Sequence, residues 1–92
     1  MVSFPNCKIN LGLHVVSKLA DGYHAIETVF YPISWCDALE VIENRVNSEA
    51  FLFSHSGLPI SGPTDQNLIY KTWNLITQVR TLPPIQVHLH KN

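Results

Sequence analysis

The residues best suited to chemistry lie near the start of the chain, in the segment KINLGLHVV. Lys8 and Asn10 are two residues apart, and apolar side chains occupy every second position from 9 to 15. Alternation of this kind is typical of a half-buried strand, whose residues at i and i+2 share a face roughly 7 Å apart. An ammonium group beside an amide could hold an anionic, hydroxylated ligand. From periodicity alone, a solvated strand face is the favoured interpretation, because Lys and Asn are common there.

A second cluster of interest follows a predicted turn. Asp21-Gly22 is a pair that adopts positive φ easily, and Tyr23 and His24 come directly after it. An aromatic ring can stack on a heterocycle while an imidazole bonds to its edge. On its own, the segment is explained more simply as a turn with a half-buried tyrosine and a solvated histidine.

The other histidines are weaker candidates. His88 and His90 alternate on a predicted strand, as two metal ligands would, but no third ligand is in evidence. A solvated or interface face is favoured, and no metal site is predicted. Strict alternation places His14 on the same face as Lys8 and Asn10, where a structural role and a place near a ligand are equally supported.

The elements that must position these residues follow from apolar periodicity and turn residues. Pro32 is expected to end the second strand or to place it at an edge. Residues 18–22 are a predicted turn, 44–49 a polar hairpin connection and 55–65 a loop. Strands are predicted at residues 8–16, 24 to about 33, 38–43, 50–54 and 85–90.

One helix is predicted after the loop. Thr64 or Asp65 would cap its start, and residues 81–84 would end it. Both tryptophans are expected in the core. A helix lying between strands can cover one face of a mixed or antiparallel sheet, which predicts an α+β fold. The apolar residues expected to face the sheet are Ile69, Trp73, Ile76 and Val79.

Composition excludes several functions. The 92 residues carry 6 basic and 7 acidic side chains, for a net charge of −1. Nucleic-acid binding needs clustered Lys and Arg, which are missing, so we predict no nucleic-acid partner. No apolar run is long enough to span a membrane, and no secretory signal is seen. The cytoplasm is therefore the expected compartment, with Cys7 and Cys36 as free thiols.

Together, the segments KINL at 8–11, DGYH at 21–24 and ETVF at 27–30 resemble the N-terminus of the 4-diphosphocytidyl-2-C-methyl-D-erythritol kinase family, within the GHMP kinase superfamily. The resemblance continues through DALEV at 37–41, DQNLIYK at 65–71 and the last strand. It spans essentially all of this chain but about the first third of a family member.

The resemblance implies that residues 1–92 are a partial N-terminal GHMP kinase domain, whose topology is like that of a ribosomal-protein domain. Such an enzyme phosphorylates the 2-hydroxyl of its cytidine-diphosphate substrate in non-mevalonate isoprenoid synthesis, using ATP and Mg²⁺. Lys8 matches a catalytic lysine beside the accepting hydroxyl. The family's substrate-binding positions are matched by Asn10, Tyr23, His24 and Phe30, and the two aromatic residues match positions around the cytosine. Positions near the ATP adenine are matched by Asn67, Leu68 and Lys91.

The chain departs from the family pattern in two respects. Cys7 stands where the family commonly has alanine. The family's glycine-rich phosphate loop, which would follow Asn92, and its catalytic aspartate have no counterpart here. We therefore expect a fragment that is inactive alone and that self-associates through uncovered apolar surface. The alternative is a non-catalytic binding or interaction module derived from the same fold.

Overall fold

The computed structural model describes all 92 residues, which form two compact units. The first comprises Met1–Pro5 and Asp37–Asn92, and the second is Asn6–Cys36. The strands are β1 (Val2–Ser3), β2 (Asn6–Lys18), β3 (His24–Cys36), β4 (Ala38–Glu43), β5 (Phe51–Gly57) and β6 (Ile85–Lys91); a short 3₁₀-helix covers Thr64–Gln66 and helix α1 covers Leu68–Val79.

The first unit contains a four-stranded sheet in the order β1-β4-β6-β5. β4 pairs antiparallel with both β1 and β6, whereas β5 and β6 are parallel. Parallel neighbours need a long crossover, and α1 lies within it. The predicted α+β fold with a mixed sheet and one helix is therefore confirmed.

The segment between β4 and β5 corrects one prediction. It is not a hairpin connection, because β6 lies between these two strands in the sheet. The buried side chain of Asn44 holds this connection together through hydrogen bonds. Its Nδ2 donates to Oδ1 of Asn47 and to the carbonyl of Glu49, each at 2.8 Å, and its Oδ1 accepts from the backbone N–H of Val46 at 3.1 Å. A buried amide is tolerated when its bonds are satisfied in this way.

The core of the first unit is small. Val87 is the one fully buried apolar residue, with 2% of its surface exposed. The Phe51 ring lies 5.4 Å from that of Tyr70 and 5.0 Å from that of Trp73. An apolar cavity of about 630 Å³ is lined by residues of the sheet and of α1, among them Val41, Ile76 and Val87. The helix and the sheet therefore leave an open apolar space between them that this chain does not fill.

Several helix predictions need correction. The cap is Asn67, because Thr64 and Asp65 belong to the preceding 3₁₀-helix. Trp73, expected in the core, is half-buried and lines the cavity, whereas Val79 is 81% exposed because it lies in the last turn of α1, outside the cavity lining. Trp35, expected in the core, is 60% exposed.

The second unit is a long antiparallel hairpin of β2 and β3. Both strands extend beyond the predicted limits, and β3 continues through Pro32 to Cys36. Proline is compatible with this position because both strands of a two-stranded sheet are edges. Every residue of β2 is exposed, so the expected half-buried face is not covered. In the first unit, β5 likewise extends to Gly57, beyond the predicted start of the loop.

No helix in the structure combines the length and the apolar character needed to cross a membrane.

Candidate functional site

One face of the hairpin carries most of the predicted substrate-binding residues. Lys8 is directly opposite Pro32, and Asn10 is directly opposite Phe30. Residues opposite each other in an antiparallel pair share a face. The Lys8 Nζ atom lies 3.6 Å from the centre of the Phe30 ring, a cation–π contact. The structure therefore brings Lys8, Asn10 and Phe30 together at one end of the hairpin.

A β-bulge at Gly12 changes what else occupies this face. The register moves from Asn10 opposite Phe30 to Leu13 opposite Thr28, which leaves one extra residue on β2. Gly12 has φ of +76°, and its carbonyl accepts a hydrogen bond from the Thr28 hydroxyl at 2.6 Å. Glycine adopts this conformation without steric cost.

The bulge corrects the prediction for His14. Leu13 now takes the face of Asn10, and His14 lies opposite Glu27 on the other face. Strict alternation failed because the bulge shifts the residues that follow it to the opposite face, until a second irregularity between Val15 and Ser17 restores the original alternation. His14 is therefore removed from the candidate site.

His24 lies on the same face as Phe30. β3 has no extra residue between them, so His24 and Phe30, six residues apart, point the same way. Six residues of strand span about 20 Å. His24 and Phe30 thus occupy opposite ends of one face, rather than one compact pocket.

The turn presents Tyr23 beside His24. The Asp21 carboxylate accepts the backbone N–H of Tyr23 at 3.0 Å, and the Leu19 carbonyl accepts that of Gly22 at 3.1 Å. The predicted positive φ at Gly22 is confirmed at +90°. Tyr23 is 75% exposed, which leaves its ring free to stack.

Lys18 was missed by sequence reasoning. It lies directly opposite His24 and so shares the face. The sequence pattern places Lys18 in the predicted turn. The signal that could identify it is its position across that turn from His24, with which it pairs. The face carries two lysines and a histidine, whereas Glu27 lies on the opposite face. This charge distribution suits an anionic ligand.

The predicted ATP-binding residues lie in the first unit, on two elements. Asn67 caps α1, its Oδ1 accepting from the Ile69 N–H at 2.8 Å, and Leu68 is the exposed first residue of the helix. Lys91 ends β6, where its Nζ lies 2.6 Å from Oδ2 of Asp37. The structure therefore joins Asn67 and Leu68 at one helix start and places Lys91 on a separate strand.

Asp37 holds the end of β6 through two hydrogen bonds. One comes from Lys91, and the backbone N–H of Asn92 donates the other to Oδ1 at 2.9 Å. The Lys91 bond, followed by the Asn92 bond, lowers the pKa of the Asp37 carboxyl from its ordinary value of 3.8. Hydrogen bonds to the ionised form explain this direction.

Comparison with known proteins gives close relatives but no match to a family profile. The chain is 50% identical over 91 residues to the 4-diphosphocytidyl-2-C-methyl-D-erythritol kinase of Cytophaga hutchinsonii, covering 99% of this chain and 32% of that protein. It is 50% identical over 92 residues to the enzyme of the same name from Porphyromonas gingivalis, covering 100% of this chain and 33% of that one.

The structural comparison agrees. A crystal structure of 4-(cytidine 5'-diphospho)-2C-methyl-D-erythritol kinase matches with a TM-score of 0.69 and 30% identity, covering 100% of this chain and 31% of that one. The matched enzyme has a GHMP kinase fold. The chain spans about a third of the length of the curated relatives it matches. By sequence and by fold, the entire chain is homologous to about a third of the length of members of the 4-diphosphocytidyl-2-C-methyl-D-erythritol kinase family.

Proposed function

We propose that this chain supplies part of the substrate site of an ATP-dependent kinase that phosphorylates the 2-hydroxyl of 4-diphosphocytidyl-2-C-methyl-D-erythritol. The observation that carries the proposal is the hairpin face on which Lys8, Asn10, Lys18, His24 and Phe30 are aligned without a carboxylate. The names of the relatives support the reaction class.

The length of this face suggests how the substrate binds. A cytidine joined through a diphosphate to a branched polyol is elongated, with its base and its accepting hydroxyl at opposite ends. Tyr23 and His24 suit the base, since one can stack on it and the other can bond to its edge. Lys8 and Asn10 suit the polyol. In this arrangement Phe30 lies at the Lys8 end, about 20 Å along the strand from His24, rather than around the cytosine.

Lys8 has a defined role in this arrangement. Its ammonium group rests on the Phe30 ring, which limits its motion without neutralising it. A fixed cation beside the accepting hydroxyl favours the ionised form of a neighbouring general base and orients the hydroxyl. The residues of this chain would thus position the acceptor.

The ATP side of the proposal rests on Asn67, Leu68 and Lys91. The exposed Leu68 side chain offers apolar area to a purine. The Asn67 Oδ1 atom caps the helix, and its amide nitrogen is a second polar group that can donate a hydrogen bond to a ligand. Mg²⁺ prefers carboxylates together with substrate phosphates. No group of three or more His, Cys, Asp or Glu side chains could hold a metal ion. The residues present do not fit a Mg²⁺ site.

Binding of the cytidine substrate to this chain is the direct test. Titration followed by NMR should shift the amide signals of Tyr23 and His24 and of Lys8 and Asn10. His24→Ala should weaken binding about tenfold, the loss expected for one hydrogen bond of about 1.4 kcal/mol. The matched control is His14→Ala, on the opposite face of the same hairpin. Equal losses in both variants, or shifts confined to the first unit, would contradict the proposed site.

Turnover provides a second measurement. We expect no ATP-dependent phosphorylation by residues 1–92 alone, because these residues contain no glycine-rich loop to hold a triphosphate. Phosphorylation by the wild-type polypeptide that is lost in Lys8→Ala would overturn this expectation. It would not contradict the proposed substrate site, which the binding measurement tests.

A further inference from the structure

A row of serine and histidine side chains lies on the sheet face opposite the apolar cavity. The parallel register pairs Ser54 with His88 and Ser56 with His90, all on one face. The cavity is lined instead by residues of the alternate positions, such as Val87 and Phe51. The row is therefore separated from the apolar side of the sheet by the sheet itself.

Hydrogen bonds link the row into a chain. The Ser54 hydroxyl lies 2.7 Å from Nδ1 of His88. The Ser56 hydroxyl lies 2.9 Å from Nε2 of His88 and 2.9 Å from Nδ1 of His90. Two imidazole nitrogens from alternate residues of one strand thus converge on a single oxygen atom.

The convergence has a chemical consequence. When Ser54 accepts the Nδ1–H of His88, the Nε2 atom of that ring carries a lone pair directed towards Ser56. His90 can present a lone pair at Nδ1 in its Nε2–H tautomer. Neutral imidazole nitrogens are good ligands for Zn²⁺, Cu²⁺ and Ni²⁺.

We propose that His88 Nε2, His90 Nδ1 and the Ser56 hydroxyl form a binding site for a divalent transition-metal ion such as Zn²⁺, with water completing the coordination. Ser54 is a positioning residue that holds the His88 ring and its tautomer. A hydrogen bond of this kind to a metal-binding imidazole raises its affinity for the ion.

The surroundings favour a cation. Glu40 lies directly opposite His88 on β4 and therefore shares the face, where its carboxylate adds negative charge. His90 is exposed and His88 is half-buried, so an ion can reach the site without opening the fold.

His55 provides a matched control. It lies on β5 between Ser54 and Ser56, but it faces the other side of the sheet, where its ring centre lies 6.1 Å from that of Phe53. Replacing it changes the histidine count of the same strand pair without touching the proposed site.

Calorimetric titration with Zn²⁺ tests the site. We expect one ion per chain for the wild type and at least a tenfold loss of affinity in His88→Gln and in His90→Gln. His55→Gln should bind as the wild type does, and Ser54→Ala should lose affinity by about tenfold, as for other second-layer residues. Weak binding without fixed stoichiometry, or an equal loss in His55→Gln, would overturn the proposal.

A measurement on the wild-type chain removes dependence on the variants. In ¹⁵N spectra of the imidazole groups, Zn²⁺ should shift Nε2 of His88 and Nδ1 of His90 and leave the His55 ring unchanged. Shifts at all five histidines, as for adventitious binding, would exclude the site.

Discussion

At the scale of single residues, Gly12 determines which side chains share the face of Lys8. Its positive φ creates the bulge that directs Leu13 towards this face and His14 away from it. The opposing Thr28 hydroxyl holds the bulge through the Gly12 carbonyl. A single backbone conformation therefore alters the composition of the proposed substrate face.

Asn67 is the residue whose two assigned roles can be separated by substitution. Its Oδ1 caps α1, and the proposed contact with ATP would use its amide nitrogen. Asn67→Ala should lower the free energy of unfolding by about 1 kcal/mol, because the Ile69 N–H loses its acceptor. Asn67→Asp keeps an acceptor and should retain the stability of the wild type in urea denaturation. Equal losses in both variants would show that Asn67 stabilises the protein by means other than capping.

At the scale of elements, the end of β6 is held by an ionic contact rather than by apolar packing. Lys91 and the Asn92 backbone both donate to Asp37, the residue directly before β4. The Leu58 N–H also donates to the Lys91 carbonyl at 2.9 Å. The end of this strand is therefore sensitive to the charge of one carboxyl group.

Acid should loosen this contact. The pKa of Asp37 is lower in the folded chain than its ordinary 3.8. The folded state thus binds fewer protons than the unfolded state, and its stability falls with decreasing pH. The contribution is complete above the ordinary pKa and is lost as the pH falls through the lowered folded value. NMR titration of the Asp37 carboxyl should give this lowered pKa.

Lys91→Met is the control for the acid effect. It removes the first cause of the shift, so the Asp37 pKa should rise towards its ordinary value and the acid-dependent loss of stability should shrink. An unchanged Asp37 titration in Lys91→Met would contradict the assignment.

At the scale of the whole molecule, apolar surface exceeds what the chain can bury. Val87 is the one fully buried apolar side chain, and the hairpin exposes large apolar residues such as Leu11, Leu13 and Val29. Two-stranded hairpins are marginally stable alone in water. Exposed strand edges and apolar faces favour association with other chains.

We therefore expect this chain to form dimers or larger assemblies when it is prepared alone. Light scattering should report a mass that rises with concentration. The double variant Leu11→Lys with Val29→Lys should reduce association by placing two charges among the exposed apolar side chains of the hairpin. Val46→Lys, an 80% exposed apolar position between β4 and β5, is the matched control. A monomer mass at high wild-type concentration would refute the expectation.

Residue patterns along the chain predicted the family and the order of α1 and the five longer strands, but not the two-residue strand β1. Alternating residues predicted β4 at its observed limits, and the KINL and DGYH segments led to the kinase family that the relatives confirm. These features depend on local periodicity and on residue identity, both of which can be read along the chain.

Which residues meet depends on how distant segments of the chain pair. The bulge at Gly12, the addition of Lys18 to the substrate face and the convergence of His88 and His90 on Ser56 all depend on register between strands. Register is set by pairing between distant segments, so no local pattern specifies it. The small core has the same origin, because burial depends on what packs against a face rather than on the alternation within it.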